Sequence, residues 1–381
     1  MADRMRVIVN AVPLMNVRTG IGRYLACLYG AMERRFGDRA EFSYFDGRTV
    51  SRDMPSGPGD LSRWSGMVDL FWKLPAPLAL AVRLAHHWRS ERAFRRAARG
   101  FDLYHEAGFF PFRAPAGVRT AFTLHDLSVF RFPEHHPRER VLYFKVFFRR
   151  RLRLARAVIT VSRFTADEMR RVLGPESARD ATAVPLACDT AVFHPRTPDQ
   201  AARARERFGL PERYFLFVGS GDPRKNLDIV PEALKKADLD EPLAVVGWSG
   251  WRQGGQWSNA RALGYVDDED LAGLYSGALG LVLPSAYEGF GLPLLEAMSC
   301  GCPVITARAA SLPEVAGEAA LYLDHPRDRD GLAVLLGRLA ADESLRASLR
   351  GQGFARAREF SWGRTAEATF EVFERVLASH D

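Results

Sequence analysis

Short apolar runs alternate with longer stretches at helical spacing, and this rhythm restricts the folds open to the chain more than any other feature. In the first half, Arg6–Val9, Asp102–His105, Thr120–Leu124, Val158–Val161 and Ala181–Val184 read as strands. Thr19–Gly37 reads as a loop and then a helix, with Tyr24, Leu25, Leu28 and Met32 near helical spacing. Ser162 is placed to cap a helix that runs to Leu173, where Gly174-Pro175 stops it. In the second half, strands at Tyr214–Gly219, Leu243–Gly247, Gly280–Pro284 and Pro303–Thr306 alternate with helical patterns. Those helices are Asn226–Lys236, Asp268–Gly277, Pro293–Cys300, Arg327–Ala341 and Glu343–Glu359. Strands this short and apolar are buried on both faces, and the alternation calls for parallel sheets with crossover helices.

The 381 residues are too many for one ordinary core. They suit two domains of roughly 150–200 residues. Phe193–Pro198 reads as an extended linker, so the boundary is expected near 190–200. The four cysteines, Cys27, Cys188, Cys300 and Cys302, form no C-x-x-C pair, which argues against a zinc site or a disulfide framework. The N-terminal stretch lacks the long apolar core of a signal peptide. The longest apolar run, Leu74 to Val82, falls far short of a membrane span and holds two prolines. A cytoplasmic protein is expected, soluble or peripheral on the inner face of the cytoplasmic membrane.

The most informative stretch runs from Leu281 to Thr306. A buried strand ends at Pro284, a glycine-containing loop follows, and Pro293 takes the favoured first position of a helix. Gly301 stops that helix before the next strand. A glycine-lined approach to a helix N-terminus offers unpaired N–H groups and partial positive charge, which suits a phosphate. Gly289 and Gly291 let backbone approach a ligand closely. Glu296 is expected in the first helical turn, within reach of a neutral diol such as ribose. Glu288 sits in the loop where a sugar attached to the phosphate would lie. The plain alternatives are turn glycines and a carboxylate that answers the helix dipole.

Strand, Glu288-Gly289-Phe290-Gly291-Leu292-Pro293, Glu296 and Gly301-Cys302-Pro303, in that order, resemble the signature of the retaining glycosyltransferases of family 4, with its pair of glutamates. Ser311–Ala320 is similar to that family as well. The resemblance implies an α/β chain of GT-B fold: two Rossmann-like domains, with parallel sheets, facing across a cleft. The expected division is an acceptor-side domain over 1–192 and a nucleotide-sugar domain over 193–360, with 361–381 packing back on the first.

Supporting positions follow from the same resemblance. Phe217–Leu227 is a strand, a glycine-rich loop with Arg224 and Lys225, and a helix that starts at once. These cations suit a diphosphate leaving group, the alternative being a solvated helix start. Ser220 stands where many relatives carry arginine, and Arg224 is the candidate to do that work. Trp248–Trp251 and Leu263–Asp267 follow strand ends, and Tyr265 or Val266 would lie beside the nucleotide base, with core packing as the other reading. Arg18-Thr19-Gly20-Ile21-Gly22-Arg23-Tyr24 lacks a dinucleotide fingerprint but resembles the family loop over the donor phosphates and acceptor, which assigns Gly20 and Gly22 to the donor and Arg23 to the acceptor side. His125 at a strand end would polarise a sugar hydroxyl, with Asp126 orienting it, unless the pair is structural. Ser162 is given an acceptor-side role beside its capping role.

The formal charge is +7 and the pI about 9.4. Arg138 to Arg156 holds eight Lys/Arg against Glu139, with Tyr143, Phe144, Phe147 and Phe148 interleaved, and Arg89–Arg99 is similar. Such helices suit an anionic membrane surface, or are solvated faces whose aromatics fill the core. No nucleic-acid-binding signature accompanies the charge. The expected reaction is transfer of a hexose from a nucleotide diphosphate sugar, GDP-mannose favoured, to a saccharide or lipid-linked acceptor in polysaccharide or lipopolysaccharide synthesis. The resemblance implies retention of configuration, no cofactor and no essential metal. In that scheme Glu288, Lys225, Arg224 and His125 carry the chemistry. UDP- or dTDP-sugar use, a sugar-nucleotide epimerase of the same fold and a degenerate membrane-bound scaffold are the alternatives. Oligomeric state is not legible.

Overall fold

A computed structural model describes residues 4–15, 20–55, 76–108, 111–178, 181–247 and 259–379. Arg18, Thr19 and Trp248–Trp251 therefore lie outside the described residues. The chain divides into two compact units, one formed by Met1–Leu186 with Trp362–Asp381 and the other by Ala187–Ser361.

The first unit is built on strands β1 (Met5–Asn10), β2 (Ala40–Phe45), β3 (Val50–Ser51), β4 (Leu103–Glu106), β5 (Arg119–Leu124), β6 (Ala157–Thr160) and β7 (Ala181–Ala183). Their order in the sheet is β3-β2-β1-β4-β5-β6-β7, and all pairs but β2/β3 are parallel. The order in which strands are added reverses between the parallel neighbours β1 and β4, where Val7 pairs with Leu103. At such a switch point neighbouring loops diverge and open a crevice at the carboxyl ends of the strands.

Helix Gly20–Phe36 lays Tyr24, Leu25, Leu28, Tyr29, Met32 and Phe36 onto this sheet at helical spacing. Helix Trp362–Ala378 joins the same unit and stacks Phe370 on Phe36 with centroids 4.1 Å apart. Arg119 Nη1 donates to the carbonyls of Val376 and Leu377 at 2.8 and 2.5 Å, satisfying the last turn of that helix. Truncating a buried Phe such as Phe370 to Ala costs roughly 3–5 kcal/mol.

The second unit contains β8 (Phe215–Val218), β9 (Leu243–Val246), β10 (Ala260–Gly264), β11 (Gly280–Leu283), β12 (Val304–Ala307) and β13 (Leu321–Leu323). The order is β10-β9-β8-β11-β12-β13, parallel throughout, with its switch point between β8 and β11. Central strands β11 and β12 are buried at every position, which is why their sequences read as unbroken apolar runs.

Three expectations change. Phe193–Pro198 is not linker to its end, because Pro198 opens helix Pro198–Arg207, held by a capping box between Thr197 and Gln200. The helix expected from Asn226 starts instead at Ile229. A single turn, Pro223–Lys225, precedes it, and Asn226 breaks the path with φ of 50°. Gly20–Tyr24 is helix from its first residue rather than loop.

Candidate active site

In the second unit the loops after β8 and β11 leave the switch point side by side, and hydrogen bonds staple them together. The Ala286 N–H donates to the Arg224 carbonyl at 2.7 Å. Asn226 Nδ2 donates to the Pro284 carbonyl at 2.8 Å and to that of Pro326 at 3.3 Å, while its Oδ1 accepts from Arg327 Nη1 at 3.0 Å. Asparagine tolerates the left-handed backbone here better than most side chains.

The stapling delivers Lys225 to Glu288. Lys225 Nζ donates to Glu288 Oε1 at 2.8 Å, and Ser285 Oγ donates to the same oxygen at 2.9 Å. The two charged side chains keep 13% and 16% of their surface exposed, enough for a ligand to reach them. A Cβ on Gly219 would stand 2.8 Å from Lys225 Cδ, so the glycine makes room for the lysine stem. Arg224 Nε donates to Asp222 Oδ2 at 2.9 Å, and the guanidinium carbon lies 5.8 Å from the Tyr287 ring centroid. Ser220 occupies the same loop, partly buried.

The loop after β11 turns at Gly291, whose φ of 100° and crowding by Leu312 and Leu294 exclude a side chain. The buried Ser311 hydroxyl lies 2.9 Å from the carbonyls of both Glu288 and Phe290 and fixes the turn from behind. Helix Leu292–Ser299 follows, with Leu292 as its first residue and Pro293 as its second, one place later than expected. Glu296 is therefore past the first turn. Its side chain is buried, and Tyr275 Oη donates to Oε2 at 3.1 Å.

In the first unit His125 directly follows β5. Its Nε2–H donates to the Ala107 carbonyl at 3.0 Å, and the Tyr24 ring meets it edge-on with centroids 5.0 Å apart. Burial lowers its pKa below the ordinary value, so the ring is neutral and Nδ1 carries the lone pair. Behind it, Tyr24 Oη, Thr123 Oγ1, His105 and Tyr29 Oη form a buried chain with links of 3.0, 2.8 and 2.6 Å. Across the switch point, Asn10 Nδ2 and the Gly108 N–H donate to Glu106 at 2.8 and 2.6 Å. Tyr104 Oη is a further donor to that carboxyl.

Residues 20–192 match the family described as Glycosyltransferase Family 4, and residues 199–356 the family described as Glycosyl transferases group 1. The chain is 33% identical to O-antigen chain mannosyltransferase B of Escherichia coli, over 97% of this chain and 100% of that one. The chain belongs to glycosyltransferase family 4. This glycosyltransferase is also 32% identical to the MMP alpha-(1->4)-mannosyltransferase of Mycolicibacterium hassiacum, over 59% of the chain and 56% of the relative. Among solved structures it is similar to sucrose-phosphate synthase from Thermosynechococcus elongatus, with a TM-score of 0.72, 22% identity, and 99% and 100% of the two chains covered. HepE of Anabaena, solved with UDP and glucose, gives a TM-score of 0.66 at 17% identity, with 98% and 100% covered. These likenesses show the GT-B fold, two Rossmann-like α/β domains.

Several expected site residues of this glycosyltransferase stand elsewhere than the sequence suggested. Ser162 is fully buried, accepts from the Thr165 N–H at 3.0 Å and caps its helix. Asp126 Oδ1 accepts from the Ser128 N–H at 2.8 Å, and the group on the His125 Nε2 is the Ala107 carbonyl. Val266 is buried in the core, whereas Tyr265 is 46% exposed, so only Tyr265 offers a ring to a base. The Phe290 side chain packs edge-on against Phe360 at 5.9 Å. Gly20, Gly22 and Arg23 occupy the first turn of their helix. Sequence reasoning missed Asn226, Ser285 and Ser311 as the residues that hold the loops. Asn after Pro-Arg-Lys was the available signal for the left-handed turn.

Proposed function

We propose that this glycosyltransferase transfers mannose from GDP-mannose, with retention of configuration, to a saccharide on a lipid carrier during O-antigen-type polysaccharide synthesis. The observation that carries the reading is the Lys225–Glu288 pair at the switch point of the second unit, in a chain similar along nearly its full length to an O-antigen chain mannosyltransferase. In the reaction the bond from the anomeric carbon to the diphosphate breaks, a bond to the acceptor oxygen forms, and the acceptor's hydroxyl proton passes to the departing diphosphate oxygen. Lys225 and Arg224 neutralise the departing diphosphate, together with backbone amides of the Gly289–Leu292 turn. Pro293 has no N–H, so these amides come from the turn itself rather than from the helix interior. Displaced from Lys225, Glu288 accepts from the sugar hydroxyls, and Glu296 holds the ribose beside Tyr275. Neutral His125 accepts a hydrogen bond from a sugar hydroxyl at Nδ1, which Tyr24 and Ala107 keep in place. The residues named need no metal or cofactor for these roles.

The membrane side of the reading rests on helices Ala76–Ala97 and Arg138–Leu152. No helix among the described residues is long and apolar enough to cross a membrane. Tyr143, Phe144 and Phe148 fill the core, yet Leu142 and Val146 stay 49% and 48% exposed beside exposed cations. That combination suits docking on an anionic surface, where the acceptor lipid resides.

A thermal-shift screen with GDP-mannose, UDP-glucose and dTDP-glucose tests the donor. Saturating GDP-mannose should stabilise the protein by a few kcal/mol, and Glu288→Ala should weaken the shift and abolish transfer. A shift with UDP-sugars alone overturns the donor. Turnover of the sugar nucleotide without acceptor favours the epimerase, and absence of any binding favours the scaffold.

A further inference from the structure

The C-terminal half of helix Ala76–Ala97 borders a cavity of about 450 Å³ that the transfer reaction does not use. Its lining includes Trp88, Arg92, Arg95, Arg96 and Arg99, with Glu91 as the acid among them. Glu91 is already committed: it is ion-paired with Arg151, and it accepts from the Arg113 N–H at 3.0 Å. Arg92, Arg95, Arg96 and Arg99 have no acidic partner among the described residues. Some arginines elsewhere in this unit are paired, as in Arg6–Asp102, Arg35–Glu367 and Arg131–Glu168. The helix dipole favours cations in the last turn, where Arg95 and Arg96 stand. It does not account for Arg92, a turn earlier, nor for the placing of four arginines around one concavity.

Apolar exposure concentrates on the same pair of helices. Of the seven large hydrophobic residues found exposed, five are Leu78, Val82, Trp88, Leu142 and Val146, and Trp88 at 61% forms a wall of the cavity. Helices Ala76–Ala97 and Arg138–Leu152 pack on one another, bridged by Arg83–Glu139 and Arg151–Glu91. A ligand that satisfies this surface carries several anionic oxygens close to apolar matter. Guanidinium forks bind phosphate oxygens in pairs, and an indole ring settles where water meets hydrocarbon.

We propose that the cavity bounded by Trp88, Arg92, Arg95, Arg96 and Arg99 is a phosphate-binding pocket that takes the phosphate or diphosphate group of an anionic amphiphile. It extends the membrane-side reading of this unit and is independent of the donor assignment. The pocket would anchor the charged group while Leu78, Val82 and Trp88 meet the apolar part.

Two double variants of equal charge test this: Arg92→Gln/Arg96→Gln in the pocket, and Arg34→Gln/Arg48→Gln at exposed positions of the same unit, outside both helices. Binding of inorganic pyrophosphate is read by calorimetry, and of phosphatidylcholine vesicles with and without phosphatidylglycerol by flotation. The GDP-mannose thermal shift of each variant reports the intact donor site separately, so a failed pocket and a failed donor assignment read differently. The pocket variant should lose about tenfold or more in affinity, each lost charged hydrogen bond being worth roughly 1.5–3 kcal/mol, and the outside variant less than threefold. Pocket-dependent binding of vesicles alone identifies a lipid headgroup as the source. Pocket-dependent binding of pyrophosphate alone identifies a free or carrier-borne diphosphate. Equal losses from both variants, or no loss from either, overturn the proposal.

Discussion

The two switch points solve the same topological problem with opposite chemistry. In the second unit, polar side chains point at backbone. Asn226 and Ser311 bind carbonyls of neighbouring loops, and the charged pair Lys225–Glu288 is left partly open. In the first unit, polar side chains bind one another out of water. His105, Thr123 and Glu106 are 0%, 0% and 1% exposed, and only His125 of this group comes near the surface. One site is assembled by stapled loops around a reachable ion pair. The other is assembled by a buried network that orients a single ring. The contrast teaches that a reactive group can be fixed from outside by its loop or from beneath by its core, and the two modes should fail differently.

Changes at the open pair should affect rate without affecting stability. Lys225→Met should lower kcat by about 10²–10³-fold, with a melting temperature close to wild type. A loss below tenfold in a transfer assay would show that Arg224 or the turn amides carry the charge instead. Changes at the staples should affect both. Asn226→Ala removes bonds to Pro284, Pro326 and Arg327 and puts a Cβ-bearing residue without local hydrogen bonding at φ of 50°. Denaturant unfolding should register a loss of about 2–4 kcal/mol, with reduced transfer in the protein that remains folded. Rate loss without destabilisation would sink the account of Asn226 as a staple.

The buried network should respond to pH rather than to substrate. Burial raises the Glu106 carboxyl from 4.5 to about 7, outweighing the hydrogen bonds from Tyr104, Asn10 and Gly108. The folded chain therefore holds this proton more tightly than the unfolded chain. The stability it contributes is whole below about 4.5 and is lost as pH rises through about 7. His105 acts in the other direction. Burial, with a smaller effect of nearby His125, lowers it from 6.5 to about 3, so its contribution is whole above 6.5 and is lost as pH falls. Between 4.5 and 6.5 the two slopes oppose each other. Glu106→Gln leaves the histidine slope alone, about 1.4 kcal/mol per pH unit from His105 with His125 acting in the same direction. Melting temperature followed from pH 4.5 to 8 should fall more steeply with acid in the variant. Parallel profiles would show that Glu106 ionises normally in the fold.

Legibility in the sequence followed burial. β8, β11 and β12 were plain because both faces are covered and every position is apolar or nearly so. β2 was hidden by Glu41 and Ser43, and β10 by the exposed Arg261 and Ala262 of an edge strand. β13 has three residues, too few for any period to register. At the site, the glutamate loop and the Arg224-Lys225 turn were readable because each lies in one contiguous stretch. The network of Tyr24, Tyr29, His105 and Thr123 was not, since its members come from three elements far apart in sequence and meet only through the parallel sheet. Glu296 and Phe290 were placed by linear position, which could not reveal that the side chains turn towards Tyr275 and Phe360.

Helix Trp362–Ala378 gives synthesis of the chain an unusual order. The segment Ala187–Ser361 leaves the ribosome whole and can close its core at once, whereas Met1–Leu186 must wait for Trp362–Ala378 to emerge. Until then Phe36 and its neighbours lack their cover, so the portion made first is the portion finished last. Anything that delays emergence of this helix prolongs the time the nascent surface stays open to chaperones and to aggregation.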